Sequence, residues 1–248
     1  MDRAGAAAAG GGRNPRRAPA GGRRVSAESD AGERPGFWVF YGGTFDPVHD
    51  GHLAIARAAR DALQATVRLM PAADPPHRAP PGANAAHRAR MLDLAVAGEP
   101  GLRVDTRELA RAGRSYTVDT LRELRAQVGM QVPVALVVGA DSFLGLPQWR
   151  DWRALFDLAH FVVADRPGSP LDEDLAPELA AALDGREAAD AAALRAAPAG
   201  RVLRLHQPLH AESASQVRLR IAAGQPWQDL VPLAVAAYIQ RHGLYVRP

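Results

Sequence analysis

The chain has 248 residues, with 30 basic residues against 27 acidic ones, 8 His, 23 Gly, 20 Pro and no Cys. That is the composition of a soluble globular protein of one or two domains, and the absence of Cys excludes disulfides, thiolate zinc sites, iron–sulfur clusters and a Cys nucleophile. Every basic residue is Arg, so a Walker-type phosphate loop and Schiff-base chemistry, which both need a Lys, are excluded as well.

The net charge of +3 has a definite location. Residues 1–34 carry seven Arg and four acids, which leaves 23 of each in the remainder. The body of the chain therefore lacks the overall basic character of a nucleic-acid domain, and no nucleic-acid partner is expected. Residues 1–35 are rich in Ala, Gly, Arg and Pro, with no aromatic residue. Such a segment buries too little apolar surface to offset its ordering entropy, and is expected to be a disordered tail. It has no apolar h-region or amphipathic stripe of a targeting peptide. No run of 18 apolar residues predicts a membrane helix.

From Phe37 the pattern changes. Phe37–Tyr41 is a short apolar run entering Gly42-Gly43, which predicts a buried strand and a tight turn. His52–Gln64 has helical spacing in Leu53, Ala56, Ala59 and Leu63. Val67–Met70 reads as a strand ended by Pro71, and a Pro-rich loop to Pro81 precedes a helix near Ala85–Ala97. Leu102–Asp105 is a third strand, Thr117–Val128 a helix, and Pro133–Val138 a central buried strand. Trp152–Leu158 predicts a short helix and His160–Ala164 a strand. Residues 167–200, polar and Ala-rich, predict a surface insertion with one or two helices. Val202–Leu205 is a last strand, followed by helices near Ala214–Ala223 and Pro232–His242. Short strands alternating with helices define an α/β, doubly wound parallel sheet, whose ligand site lies beyond the carboxyl ends of the strands.

The string Gly42-Gly43-Thr44-Phe45-Asp46-Pro47-Val48-His49-Asp50-Gly51-His52-Leu53 is the most informative. Its glycines allow close backbone approach to a ligand. His49 and His52, three apart at a helix start, project to one side. The helix-start amides form an anion site without Lys, and two imidazoles add donors to phosphate oxygens. Read alone, the same pair also fits a zinc pair or two surface side chains. Zinc needs a third protein ligand, and beyond Asp46 nothing nearby supplies one.

The string resembles the GGTFDPxHxGH signature of the nucleotidylyltransferase superfamily. Within it the chain is similar to the bacterial nicotinate-nucleotide adenylyltransferases, from about Phe37 to Tyr245. Arg114–Leu121 resembles their SYTVDTL segment, Gly139–Phe143 with Leu146 and Trp149 their GxDxxxxLxxW segment, and Val231–Tyr245 their C-terminal end. Their ISxTxIR element is matched in part by Glu212–Arg218. Ser215 stands where Thr is usual and Glu212 where an aliphatic residue is usual.

The resemblance implies a Rossmann-like domain over 36–248 and a cytoplasmic enzyme of NAD biosynthesis. It transfers adenylyl from ATP, carrying its own Mg²⁺, to nicotinate mononucleotide. It assigns charge stabilisation to His49, His52 and Arg218, and ATP contacts to Gly42, Gly43, Thr44, Phe45, Ser215 and Arg218. Substrate contacts fall to Tyr116, Thr117, Asp141, Trp149, His77, Arg78 and Arg166. Trp149 offers a flat face for a pyridine ring, and amides ahead of the helix at Thr117 favour a carboxylate. As residues alone, Trp149 also fits a half-buried core position, Asp141 and Ser215 helix caps, and His77-Arg78 a solvated loop. His87, His160, His206, His210 and His242 read as structural or surface residues. The alternatives are transfer to another phosphorylated acceptor such as phosphopantetheine, and a non-catalytic nucleotide-binding regulator.

Overall fold

The computed structural model describes residues 36–73, 82–111, 113–165, 175–206 and 212–246. The expected tail over 1–35, the segments carrying His77, Arg78, Arg166 and His210, and the first part of 167–200 lie outside these residues.

The described strands are β1 (Trp38–Gly43), β2 (Val67–Pro71), β3 (Leu102–Val104), β4 (Val134–Gly139), β5 (His160–Asp165) and β6 (Val202–His206). They form one parallel sheet in the order β3-β2-β1-β4-β5-β6. Winding proceeds outward from β1 to β3, then crosses to β4 and continues the other way. The strand order therefore reverses between β1 and β4, and the crevice at that reversal is where doubly wound sheets bind ligands.

Helices cover both faces, which is why the strands read as nearly continuous apolar runs. Val39 and Tyr41 pack on one face with Leu53 and Leu63 of α1 (Asp50–Leu63), Met91 and Leu92 of α2 (Ala85–Val96), Val217 and Ile221 of α8 (Ala214–Ala222), and Val235 and Ile239 of α9 (Leu233–His242). Phe40 packs on the other face with Leu121 and Leu124 of α3 (Thr117–Val128), Phe143 of α4 (Ala140–Leu144) and Phe156 of α5 (Leu155–Leu158). The predicted strands and long helices are all present. The short helix α4, directly after β4, was not predicted: at five residues it is too short to show a helical period.

Residues 175–200 depart from the expectation of a purely superficial insertion. They contain α6 (Pro177–Leu183) and α7 (Ala191–Arg195), as predicted, but Leu179 and Leu194 are fully buried, one in each core cluster. Each buried leucine contributes about 2 kcal/mol. Two isolated leucines among Ala and acids make no periodic stripe, so the sequence pattern conceals this burial.

Two buried polar side chains brace the loops around the sheet. Arg125, in α3, donates to the carbonyls of Leu158 at 2.8 Å, Gly129 at 3.1 Å, Val132 at 2.5 Å and Pro198 at 2.7 Å. Burial lowers its pKa, but the carbonyls it serves replace water around the guanidinium. His160 donates from Nε2 to the Ala197 carbonyl at 2.9 Å and accepts the Arg201 N–H on Nδ1 at 3.0 Å. Burial holds its pKa below the ordinary imidazole value. Arg125→Met leaves several carbonyls without donors and is expected to cost about 3 kcal/mol. Urea denaturation checks this, as a lower midpoint at an unchanged slope.

Candidate active site

Strand β1 runs into Gly42 and Gly43, and the chain then turns sharply into α1. At Gly43 a β-carbon would lie 3.0–3.3 Å from the Phe45 ring, so a larger residue there would push the ring away by a few tenths of an ångström. Phe45 takes a left-handed backbone conformation, φ 50°, and its ring turns into the core. That ring meets Tyr41 edge-on at 5.5 Å and supports His52 from 4.9 Å. The Asp46-Pro47 peptide is cis.

His49 caps α1, and its N–H donates to Nδ1 of His52 at 3.3 Å. In the neutral His52 ring the proton therefore resides on Nε2, facing away from the helix backbone. The two rings lie side by side with centroids 3.7 Å apart and planes tilted by 36°, on one side as the three-residue spacing predicts. Amides of the first turn of α1 add the partial positive charge of a helix start.

The distant element joins this turn. In α8 the N-cap is Ser213, whose side chain accepts the Gln216 N–H at 3.1 Å, so capping does not fall to Ser215. Instead Ser215 Oγ accepts from Arg218 at 3.3 Å. A second nitrogen of the Arg218 guanidinium donates to the Asp46 carbonyl at 2.6 Å. Residues separated by 172 positions in sequence are thereby held in one site. Glu212 lies half-buried just ahead of the cap.

Asp46 is the hub of the arrangement. Its buried carboxylate accepts the N–H of Gly82 at 2.7 Å, the N–H of Ala83 at 3.0 Å and the Tyr245 hydroxyl at 2.7 Å, and lies 3.7 Å from Arg218. Burial first, and the Asp46 charge second, push the Tyr245 phenol far up, so it stays a donor. Arg88 of α2, 1% exposed, ties the surrounding loops by donating to the carbonyls of Thr44, Ala72, Ala73 and Ala83. In the sequence Asp46 reads only as a third ligand to a zinc pair, Arg88 gives no signal, and Tyr245 lies in the C-terminal match without a role.

A cavity of about 270 Å³ opens beside this turn, at the carboxyl ends of β1 and β4. Its wall includes Gly42, Gly43, Thr44, Tyr116, Thr117, Asp141 and Trp149. Residues singled out in three separate segments thus share one chamber. Trp149 is half-buried, and its backbone N–H donates to the Leu146 carbonyl at 2.9 Å. Tyr116 caps α3 without a side-chain hydrogen bond, and its helix start borders the chamber. His49, His52, Ser215 and Arg218 are not in this wall. They meet the same turn through α1 and the Asp46 carbonyl.

Glu108, missed in the sequence, lies buried in the wall and accepts the Thr120 hydroxyl at 2.7 Å. Burial raises its pKa, opposed by hydrogen bonds from Thr120 and Ser115. Ser115 Oγ in turn accepts the Ala73 N–H at 3.1 Å, which links α3 to the end of β2. Of the remaining histidines, His87 bonds Tyr238 at 2.9 Å and packs near His242.

The fold and site define a class: residues 40–220 match the cytidylyltransferase-like family. A Stenotrophomonas maltophilia protein named "Probable nicotinate-nucleotide adenylyltransferase" is 63% identical over 215 residues, covering 85% of this chain and 97% of the relative. A Xylella fastidiosa protein of the same name is 51% identical over 216 residues, with 85% and 97% covered. The chain belongs to the nicotinate-nucleotide adenylyltransferase family. Among solved structures, the Plasmodium falciparum nicotinic acid mononucleotide adenylyltransferase complexed with NaAD shares the fold. Its TM-score is 0.61 at 15% identity, covering 85% of this chain and 97% of that one.

Tyr245→Phe removes one donor from a buried carboxylate and is expected to cost about 1–2 kcal/mol. Asp46→Ala costs more, because it strands Tyr245 and two backbone amides together. Thermal denaturation of the two variants should rank them in that order.

Proposed function

We propose that the protein transfers an adenylyl group from ATP to nicotinate mononucleotide, giving nicotinate adenine dinucleotide and pyrophosphate. The observation that carries this reading is the Arg218 contact with the Asp46 carbonyl, which puts a guanidinium, paired imidazoles and two helix starts around one glycine turn. The adjoining chamber, walled by Trp149 and the start of α3, supplies an acceptor site. The names of the close relatives support both halves.

In this reading a phosphate oxygen of the mononucleotide attacks the α-phosphorus of ATP. A new P–O bond forms as the bond to the pyrophosphate oxygen breaks, and the electron pair leaves with pyrophosphate. No covalent enzyme intermediate is needed. His52, through its Nε2 proton, His49, Arg218 and Ser215 stabilise the charge that grows on the phosphates. Gly42, Gly43, Thr44 and Phe45 offer backbone groups along the phosphate path. Trp149 stacks on the pyridine ring, and the amides near Tyr116 and Thr117 receive its carboxylate. His77, Arg78 and Arg166 keep their proposed substrate contacts, on resemblance alone.

Mg²⁺ bound with ATP would be held mainly by phosphate oxygens and water and would neutralise phosphate charge. Asp141, in the first turn of α4 and on the chamber wall, is the residue assigned to its water or to a ribose hydroxyl. The reading places the enzyme in the cytoplasm as part of NAD biosynthesis. Pyrophosphate release should be followed with ATP or CTP against nicotinate mononucleotide, nicotinamide mononucleotide and phosphopantetheine. The expected result is fastest turnover with ATP and the nicotinate form. His52→Ala should lower kcat at least about 100-fold with the fold retained by circular dichroism. Preference for phosphopantetheine, or full activity of His52→Ala, contradicts the reading.

A further inference from the structure

The chamber wall contains two carboxyl groups, Glu108 and Asp141, yet the proposed acceptor brings a further carboxylate and a phosphate. With no Lys in the chain, a permanent side-chain cation for this chamber must be an arginine. Among the described residues lining it there is one, Arg150, directly after Trp149.

Three features of Arg150 concern the end of the chamber where α3 begins. Its guanidinium carbon lies 4.9 Å from the centre of the Tyr116 ring, and Tyr116 is the N-cap residue of α3. A flat cation resting on an aromatic face is held in plane while its edge N–H groups remain available to an acceptor. Second, its NH1 lies 3.4 Å from Oδ2 of Asp119, in the first turn of the same helix. That pair is long and exposed on both sides, 53% and 39%, so a ligand displaces it readily. Third, Asp119 has another cation 3.6 Å away, Arg122, which also reaches Asp151 at 3.2 Å. Arg150 therefore leaves Asp119 without stranding its charge.

Resting on the adenylyl-transfer reading, we infer that the Arg150 side chain is a specificity-determining residue of the acceptor site, which exchanges Asp119 for the pyridine carboxylate of the bound mononucleotide. A carboxylate takes two parallel N–H bonds from a guanidinium. A carboxamide has one acceptor oxygen, no charge, and an NH₂ group facing the same donors. Helix-start amides favour the acid form through partial charge alone, and Arg150 adds a full charge that follows the ligand in. The contact forms on binding and is not altered by chemistry at phosphorus, so its effect belongs in KM rather than kcat.

The test uses the full chain with saturating Mg-ATP and compares wild type, Arg150→Gln and Arg150→Lys on nicotinate and nicotinamide mononucleotides. Arg150→Gln is expected to lower the acid-to-amide ratio of kcat/KM about tenfold, through a higher KM for the acid. Arg150→Lys, which keeps charge but loses the fork, should fall between. The wild-type ratio should itself decline at high salt. A ratio within twofold of wild type in Arg150→Gln overturns the inference, as does a loss confined to kcat. Wild-type enzyme that releases no pyrophosphate with either mononucleotide overturns the adenylyl-transfer reading itself, and the inference with it.

Discussion

The site depends on one hydrogen bond between distant parts of the chain, from the Arg218 guanidinium to the Asp46 carbonyl at 2.6 Å. Sheet winding sets β1 at the centre and α8 after the outermost strand. Nothing in that order alone obliges the start of α8 to meet the turn after β1. The contact requires an irregular turn that presents a carbonyl outward, and that turn is itself strained at Phe45, φ 50°. Gly82, Ala83, Tyr245 and Arg88 are the means by which it is held. A left-handed residue of this kind persists only where its surroundings over-determine it.

In the proposed adenylyl-transfer reading, the electrostatic consequence is a phosphate site assembled from dispersed donors. A lysine-based loop concentrates positive charge in one flexible side chain. Here the charge is divided among a guanidinium, two adjoining imidazoles and the amide ends of α1 and α8. In that reading, donors held in place before the ligand arrives lower the reorganisation needed as charge moves from the α-phosphorus to the leaving group. The Asp46 carboxylate near Arg218 fits the same logic. It accepts two backbone amides and a phenol, which fix its position 3.7 Å from the guanidinium whose charge it steadies.

Much of this was legible in the residues. The alternating runs from Phe37 onward define the parallel sheet, since strands buried on both faces read as Val- and Leu-rich stretches punctuated by glycine. His49 and His52 announce themselves by spacing, and the paired glycines mark the turn. Much of what stayed hidden is of one kind: buried polar residues whose partners lie in other segments of the chain. Arg88, Arg125 and Glu108 look like solvated charges in a string of letters, because desolvation and long-range pairing leave no local pattern. Leu179 and Leu194 were concealed for a related reason, being single apolar residues set among alanines and acids. Conversely, Phe45 sits inside the motif, yet its ring serves the core, a division that only the backbone turn reveals.

The central claim is that the turn after β1 and the start of α8 grip the same polyphosphate. A crystal structure with a non-hydrolysable ATP analogue and Mg²⁺ tests it directly. The account predicts phosphate oxygens within hydrogen-bond distance of both His52 Nε2 and the Arg218 guanidinium, with the Arg218–Asp46 contact retained. An analogue whose phosphates touch only one of these elements, or neither, would contradict it.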